Sequence, residues 1–207
     1  MWARGDEVVC GIDEVGRGAW AGPVTVGAVV PQTRHLRGVR DSKELTRERR
    51  EQASDHVRRW AVAIGIGHAS AQECDELGMT AALRAAGHRA LAMLEAAGMR
   101  PDRIILDGSH DYLALGDRVV TVVKGDQTCL SVAAASCVAK VTRDAMMREE
   151  AEHFPHYAFE SNVGYPAPVH QRALAAYGPC VIHRRTWAFM DSLCWGGLPP
   201  APGRLFA

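Results

Sequence analysis

Residues 11–18 read Gly11-Ile12-Asp13-Glu14-Val15-Gly16-Arg17-Gly18, directly after the apolar run Val8-Val9-Cys10. A β-rich run that ends in two carboxylates, followed by an arginine between glycines, predicts a strand delivering acid groups to a loop. Adjacent side chains on a strand point to opposite faces, so a working Asp13-Glu14 pair needs the strand to end or bend there. Gly16 and Gly18 permit such a bend and let another molecule's backbone come close. Carboxylates beside an open, arginine-bearing loop suit a divalent metal meeting a phosphate. Taken alone, an acidic pair is more often a solvated turn, so the motif gains its weight from the rest of the chain.

Working outward, residues 8–13 and 24–30 form two β-rich runs separated by the glycine turn, as in a hairpin-like pair, with Gly22-Pro23 opening the second. Residues 61–69 alternate, with Val62, Ile64, Ile66 and His68 on one side and small residues on the other, and predict a third strand. Asp41-Ser42-Lys43-Glu44-Leu45 leads into a charged helix with Thr46 as its N-cap. Residues 80–97 give the clearest helix, capped by Gly98 and followed by Pro101. Ile104-Ile105-Leu106 ends at Asp107-Gly108, and a fifth strand over 119–123 ends at Lys124-Gly125-Asp126. On a long helix over 131–152, Ser136, Lys140 and Asp144 share one face. Shorter helices follow over 169–177 and 187–193.

This order predicts an α/β fold, a mixed five-stranded sheet flanked by helices with a small helical C-terminal part. We expect one domain over 1–207, with the core to about 155, the helical part over about 156–195 and a flexible tail beyond. Acidic groups then stand at three strand ends, where folds of this class build their sites.

Composition narrows the function. No apolar run approaches the roughly 20 residues needed to span a bilayer, and the first residues lack the pattern of a secretory signal. The six cysteines form no C-x-x-C pair, which suits reduced thiols in a cytoplasmic protein without a membrane partner. The nine histidines show no H-x-x-x-H spacing, so a metal here is held by oxygen, which favours Mg2+ or Mn2+. Acidic and basic residues balance at 24 each, so net charge says nothing about nucleic acid. Local basic clusters, Arg34 to Arg50 and His183-Arg184-Arg185, speak weakly for it.

Asp13, Glu14, Asp107 and Asp126 supply four carboxylates that would repel one another without a cation. Clustered carboxylates can hold two metal ions, and such a pair can activate water and stabilise both oxygens of a phosphodiester undergoing hydrolysis. The plain alternative for Asp107 and Asp126 is a turn role, because each adjoins a glycine. Lys43 and Lys140 suit phosphate contacts or simple solvation. His183 and Arg184 suit bracing of the last helices better than contact with a substrate, and Tyr165 could anchor its loop on the core.

The motifs, taken in order, resemble ribonuclease HII, the bacterial type 2 ribonuclease H. They are Gly11-Ile12-Asp13-Glu14 with Gly16-Arg17-Gly18, Ala21-Gly22-Pro23-Val24, Asp41-Ser42-Lys43, Leu106-Asp107-Gly108 and Lys124-Gly125-Asp126. Ala133-Ala134-Ala135-Ser136, Ala139-Lys140-Val141-Thr142-Arg143-Asp144, Gly164-Tyr165-Pro166 and Ile182-His183-Arg184 complete the set. The resemblance implies a ribonuclease H-like fold and a monomer. It also implies cleavage of RNA in RNA–DNA hybrids, and of single ribonucleotides embedded in duplex DNA.

By the same resemblance, Asp13, Glu14, Asp107 and Asp126 are the catalytic, metal-binding carboxylates. Gly16, Arg17 and Gly18 read a ribose 2′-hydroxyl through the backbone, and Tyr165 packs on the sugar at the RNA-to-DNA junction. The division is physically sensible, since the 2′-hydroxyl distinguishes RNA from DNA at a single nucleotide. Lys43, Ser136 and Lys140 complete the expected substrate-binding set. Ala19-Trp20 departs from the family's more usual proline-leucine, which bears on loop packing. The short stretch before the first strand favours type 2 over the related type 3 enzyme. Two other readings are a junction nuclease of the same fold acting on DNA alone, and a non-catalytic nucleic-acid-binding protein. The first would not need Gly16-Arg17-Gly18 or Tyr165, and the second would not need the carboxylates.

Overall fold

The computed structural model describes residues 7–33, 36 and 46–193. Lys43, with Asp41 and Ser42, lies outside these residues, as does the tail beyond Leu193. Five strands form one sheet in the order β3-β2-β1-β4-β5. They are β1 (Val9–Val15), β2 (Val24–Val30), β3 (Ala63–Ala69), β4 (Arg103–Asp107) and β5 (Val119–Val122). β2 is antiparallel to both β1 and β3, whereas β4 is parallel to both β1 and β5. The expected hairpin-like pair and mixed sheet are therefore both present.

Register positions the acids. Ile12 pairs with Leu106, so Asp107 stands alongside Asp13 at the next position. Asp107 in turn pairs with Val122, four residues before Asp126. Parallel strands bring their C-terminal ends to one edge of the sheet, where α/β folds place ligands.

Helices cover both faces. α1 (Arg47–Trp60) starts at Thr46, whose hydroxyl accepts from Arg49 N–H at 3.4 Å, as the sequence predicts for an N-cap. α2 (Ala71–Leu77) follows β3 directly, with Ser70 and Glu73 in a reciprocal capping box. α3 (Met79–Ala96) buries Leu83, Ala86, Ala90 and Leu94 against β2 and β3. It ends in a Schellman turn, where Met99 N–H donates to Leu94 O and Gly98 has φ +79°. α4 (Gly125–Thr128) is a single turn after β5. α5 (Leu130–His153) crosses β1 and β2 on the opposite face from α3. Its alanine-rich start comes so close that a Cβ on Gly27 would lie 2.6 Å from Ala135 O.

α6 (Phe159–Asn162) and α7 (Pro168–Tyr177) build the C-terminal part, whose own core joins Tyr157, Phe159, Val163, Leu174 and Met190 to Ala21 and Met147. This part is stitched to the loop after β1, since Gly22 N–H donates to Ile182 O and Arg184 N–H to Trp20 O, both at 2.8 Å. Trp20 packs its ring 4.4 Å from Phe189, and Ala19 is fully buried. The unusual Ala19-Trp20 pair thus serves the join between loop and C-terminal part.

Several expectations shift. β1 runs past Asp13 and Glu14 to Val15, and β3 begins at Ala63 instead of residue 61. β5 stops at Val122. The last helix is a 3-10 segment, Ala188–Ser192, too short to satisfy an α-helical pattern. α2 and α4 were not expected, because seven and four residues give too little periodicity to read.

Candidate active site

A cleft of about 380 Å³ opens at the C-terminal end of β1. It is lined by Asp13, Glu14 and Asp107 on the strands, by Gly16, Arg17 and Gly18 on the loop, and by Ser136, Lys140 and Tyr165 beyond. β1 ends one residue after Glu14, and both carboxylates reach the cleft despite the alternation of the strand. Asp13 is 4% exposed and accepts from Glu14 N–H at 2.8 Å. Burial pushes its carboxyl up to about 7; the Ser136 hydroxyl works against this, while the negative charges of Glu14 and Asp107 add to it.

Asp107 accepts from Gly125 N–H at 2.7 Å, which ties the end of β4 to the first residue of α4. Lys124 takes the left-handed conformation just before it, with φ +55°. Asp126 follows Gly125 and is buried, but it does not line the open cleft. Among the described residues no three Asp, Glu, His or Cys side chains stand close enough to form a ready-made metal cage. Three of the four expected carboxylates therefore share the cleft, and the fourth sits one residue from the backbone N–H that holds Asp107. The donors are all oxygen, and a cation would favour the charged form of Asp13, which burial first and the charges of Glu14 and Asp107 second disfavour, so these residues fit a hard divalent metal.

The loop side is held differently. Gly16 has φ +87°, and a Cβ there would overlap Arg143 Nε and approach Pro23 O to 2.7 Å. A Cβ on Gly18 would meet nothing within 4 Å beyond its chain neighbours, so that side of the residue is open space. Arg17 is exposed and stands 3.8 Å from Glu14. Gly16 N–H donates to Tyr165 Oη at 3.0 Å, which joins the glycine loop to the C-terminal part. The Tyr165 ring lies 5.2 Å from Lys140 Nζ and 5.2 Å from Arg143 Cζ. Lys140 also pairs with Asp144 at 2.8 Å, one turn along α5.

Two buried arginines shape this loop. Arg143 donates to the carbonyls of Pro23 (2.8 Å), Val163 (2.8 Å) and Ala21 (3.0 Å). Arg184 donates to Gly22 O at 3.0 and 3.1 Å and to Arg17 O at 3.0 Å. Both are about fully buried, and burial pulls Arg143 down to about 10. The expected bracing of the last helices is met only in part: His183 meets His170 on α7 and Cys180, whereas Arg184 grips the loop after β1. The sequence reading missed Arg143 as a loop holder and Arg50 as a lining residue, since α1 brings the latter to the rim of the cleft. Arg143 falls in a resembling motif and Arg50 in a basic cluster, but nothing in the residue string shows which groups either one meets.

A mixed sheet in this order, with carboxylates where β1 and β4 end, belongs to the ribonuclease H class of folds. The Pyrococcus horikoshii ribonuclease H2 crystal structure superimposes with a TM-score of 0.72 at 26% identity, covering 89% of this chain and 96% of that one. The ribonuclease HII family profile matches residues 10–190. Ribonuclease HII of Streptomyces avermitilis is 53% identical over 190 residues, 91% of this chain and 80% of that protein. The Streptomyces coelicolor protein of the same name is 51% identical over the same shares. The chain belongs to the ribonuclease HII family and is a nuclease of the ribonuclease H type. No helix among the described residues is long and apolar enough to cross a membrane.

Proposed function

We propose that this chain is a monomeric, single-domain endonuclease that hydrolyses the phosphodiester 5′ of ribonucleotides. Its substrates are RNA–DNA hybrids and single ribonucleotides embedded in duplex DNA. Its place is the cytoplasm, and its task is removal of misincorporated ribonucleotides and of RNA primers. One observation supports the reading above others: Gly16, Arg17, Gly18 and Tyr165 line the same cleft as Asp13, Glu14 and Asp107. A DNA-only nuclease has no use for a backbone reader and a sugar-packing ring beside its carboxylates.

In this reading Asp13, Glu14, Asp107 and Asp126 hold Mg2+ or Mn2+, two ions in the catalytic state. Bound there, such ions neutralise phosphate charge and lower the pKa of water. The chain's own residues do the rest. Gly16, Arg17 and Gly18 offer backbone groups to the 2′-hydroxyl, other than the Gly16 N–H, which already donates to Tyr165 Oη, and open space for a Cβ at Gly18 allows a sugar to come near. Tyr165 presents its ring to the next deoxyribose. Ser136, Lys140 and Lys43 contact the flanking phosphates, and Ser136 also orients Asp13.

The test is cleavage of a duplex carrying one ribonucleotide against the same duplex carrying a deoxynucleotide there. Loss of the 2′-hydroxyl leaves the reader's polar groups unpaired, which discriminates by about 10⁴–10⁵ in sites of this design. Equal cutting of both duplexes would transfer the protein to the junction-nuclease reading. Cutting that persists after chelation would remove the metal.

A further inference from the structure

Tyr165 is tied at both ends. Its hydroxyl accepts from Gly16 N–H in the cleft. Its carbonyl oxygen lies 2.9 Å from His170 Nδ1 on α7, away from the cleft. His170 Nε2 meets His183 Nε2 at 2.9 Å, and His183 Nδ1 faces both Cys180 N–H and Cys180 Sγ at 3.0 Å. The two rings are 0% and 2% exposed and are enclosed by Trp20, Tyr157 and Phe159.

The partners dictate where each hydrogen sits. A carbonyl oxygen only accepts, so His170 Nδ1 carries a hydrogen. A backbone N–H only donates, so His183 Nδ1 is bare. Burial pushes the Cys180 thiol up to about 11, so its sulfur keeps a hydrogen and can donate to the same nitrogen. Burial also holds His183 down at about 3 and His170 below the ordinary histidine value, so both rings are neutral. Each ring then has one hydrogen. His183 must donate from Nε2, and His170 must accept at Nε2. Every nitrogen is satisfied, and the relay runs one way, from Cys180 through His183 and His170 to Tyr165.

We infer that His170 and His183 are positioning residues for substrate reading, because their relay fixes the backbone of Tyr165 and thereby sets its ring against the ribonucleotide junction. This rests on the reading of Tyr165 as the ring that packs on the sugar. A satisfied chain of hydrogen bonds in a dry interior stiffens what it holds. Its single direction means that one changed ring nitrogen disturbs the whole line.

Two substitutions probe it. His170→Phe keeps the ring volume and removes both nitrogens, whereas His170→Asn keeps an N–H close to the Nδ1 position. We expect His170→Phe to lower kcat on a single embedded ribonucleotide by roughly 10–100-fold, the size of a small misplacement at the reacting centre. His170→Asn should recover part of it. In a Tyr165→Ala background, His170→Phe should cost little more, since both act through one side chain.

The tautomers are read directly from histidine nitrogen NMR of the unmodified protein, with His170 protonated at Nδ1 and His183 at Nε2. Reversed tautomers or a charged ring at neutral pH overturn the relay, even if His170→Phe fails to fold. A lowered melting point with unchanged turnover below it also overturns the relay, leaving only a core role. So does full multiplication of the two losses in the double variant. A Tyr165→Ala enzyme with normal kinetics instead defeats the reading of Tyr165 itself. Loss in Tyr165→Ala with none in His170→Phe defeats only the relay.

Discussion

Asp13, Glu14 and Asp107 ride on strands, whereas Gly16, Arg17, Gly18 and Tyr165 ride on loops gripped by buried side chains. On the strand side, position follows from register, because the β1–β4 ladder sets Asp107 beside Asp13. On the loop side there is no ladder. Arg143 and Arg184 between them capture the carbonyls of Arg17, Ala21, Gly22, Pro23 and Val163. The lesson is that one cleft can draw its precision from two sources, repetitive backbone pairing for the acids and multi-point side-chain capture for the glycine loop. A buried guanidinium is costly unless all its N–H groups are met, so the carbonyls and the arginines order one another.

The comparison breaks most sharply at the acids. Asp13→Asn or Asp107→Asn should lower turnover by roughly 10³-fold or more, as loss of a principal electrostatic group does. The fold should persist, with a melting point in chelator equal to or above that of the unmodified protein, because repulsion is relieved. Near-normal turnover at saturating Mg2+ in either variant would take the carboxylates out of the chemistry.

Next come the two glycines, which should fail in opposite ways. Gly16→Ala forces a side chain into the left-handed region and into Arg143, at a cost of about 1–3 kcal/mol or more. Its melting point should fall. Gly18→Ala meets open space, so it should melt normally and yet cut ribonucleotide-containing duplexes more slowly. Calorimetry beside kinetics separates them, and a Gly18→Ala protein with full activity would show that nothing approaches there.

Acid should act on the two regions with opposite sign. His183 is held neutral, with a folded value of about 3 against the ordinary 6.5. Between those values the unfolded chain takes up a proton that the folded one refuses, so stability falls as pH falls from 6.5. Asp13 is raised from 3.8 to about 7, so its contribution grows as pH falls across that window. In chelator, urea midpoints at pH 7 and pH 5 should show less acid loss for His183→Gln than for the unmodified protein, and more for Asp13→Asn. Parallel shifts in both variants would contradict the assignment.

The smallest effect is expected at Arg17, which is 65% exposed and 3.8 Å from Glu14. Arg17→Ala should change stability by no more than about 0.5 kcal/mol. Denaturant titration checks this. A larger loss would mean that the loop depends on this side chain as well as on its backbone.

Much of the strand side was legible in advance. Alternation at 61–69, the apolar run at 104–106 and the acids that end β1 and β4 are all written in residue types. So were α3 and α5, whose lengths let a period appear. The loop side was legible only in part. Gly16 and Tyr165 stood out by resemblance, and Arg143 and Arg184 fell within resembling motifs, but the carbonyls they hold could not be read, since capture of distant carbonyls leaves no local signature. The Ser70–Glu73 capping box was a readable start signal for α2, but seven residues gave it no period to support it. Lys43 remains outside the described residues, so its role rests on the sequence alone.

The distance along the chain between the arginines and the carbonyls they hold has a consequence for synthesis. Proteins emerge from the ribosome N-terminus first, at about 5–20 residues per second. By the time Asp126 has been made, every acid of the cleft exists. The Arg17 and Gly22 carbonyls still wait for Arg184, and Gly16 still waits for Tyr165. A nascent or C-terminally nicked chain thus carries its acids before the loop proposed to read the ribose is held, so under the proposed function discrimination is the last property of the cleft to be completed.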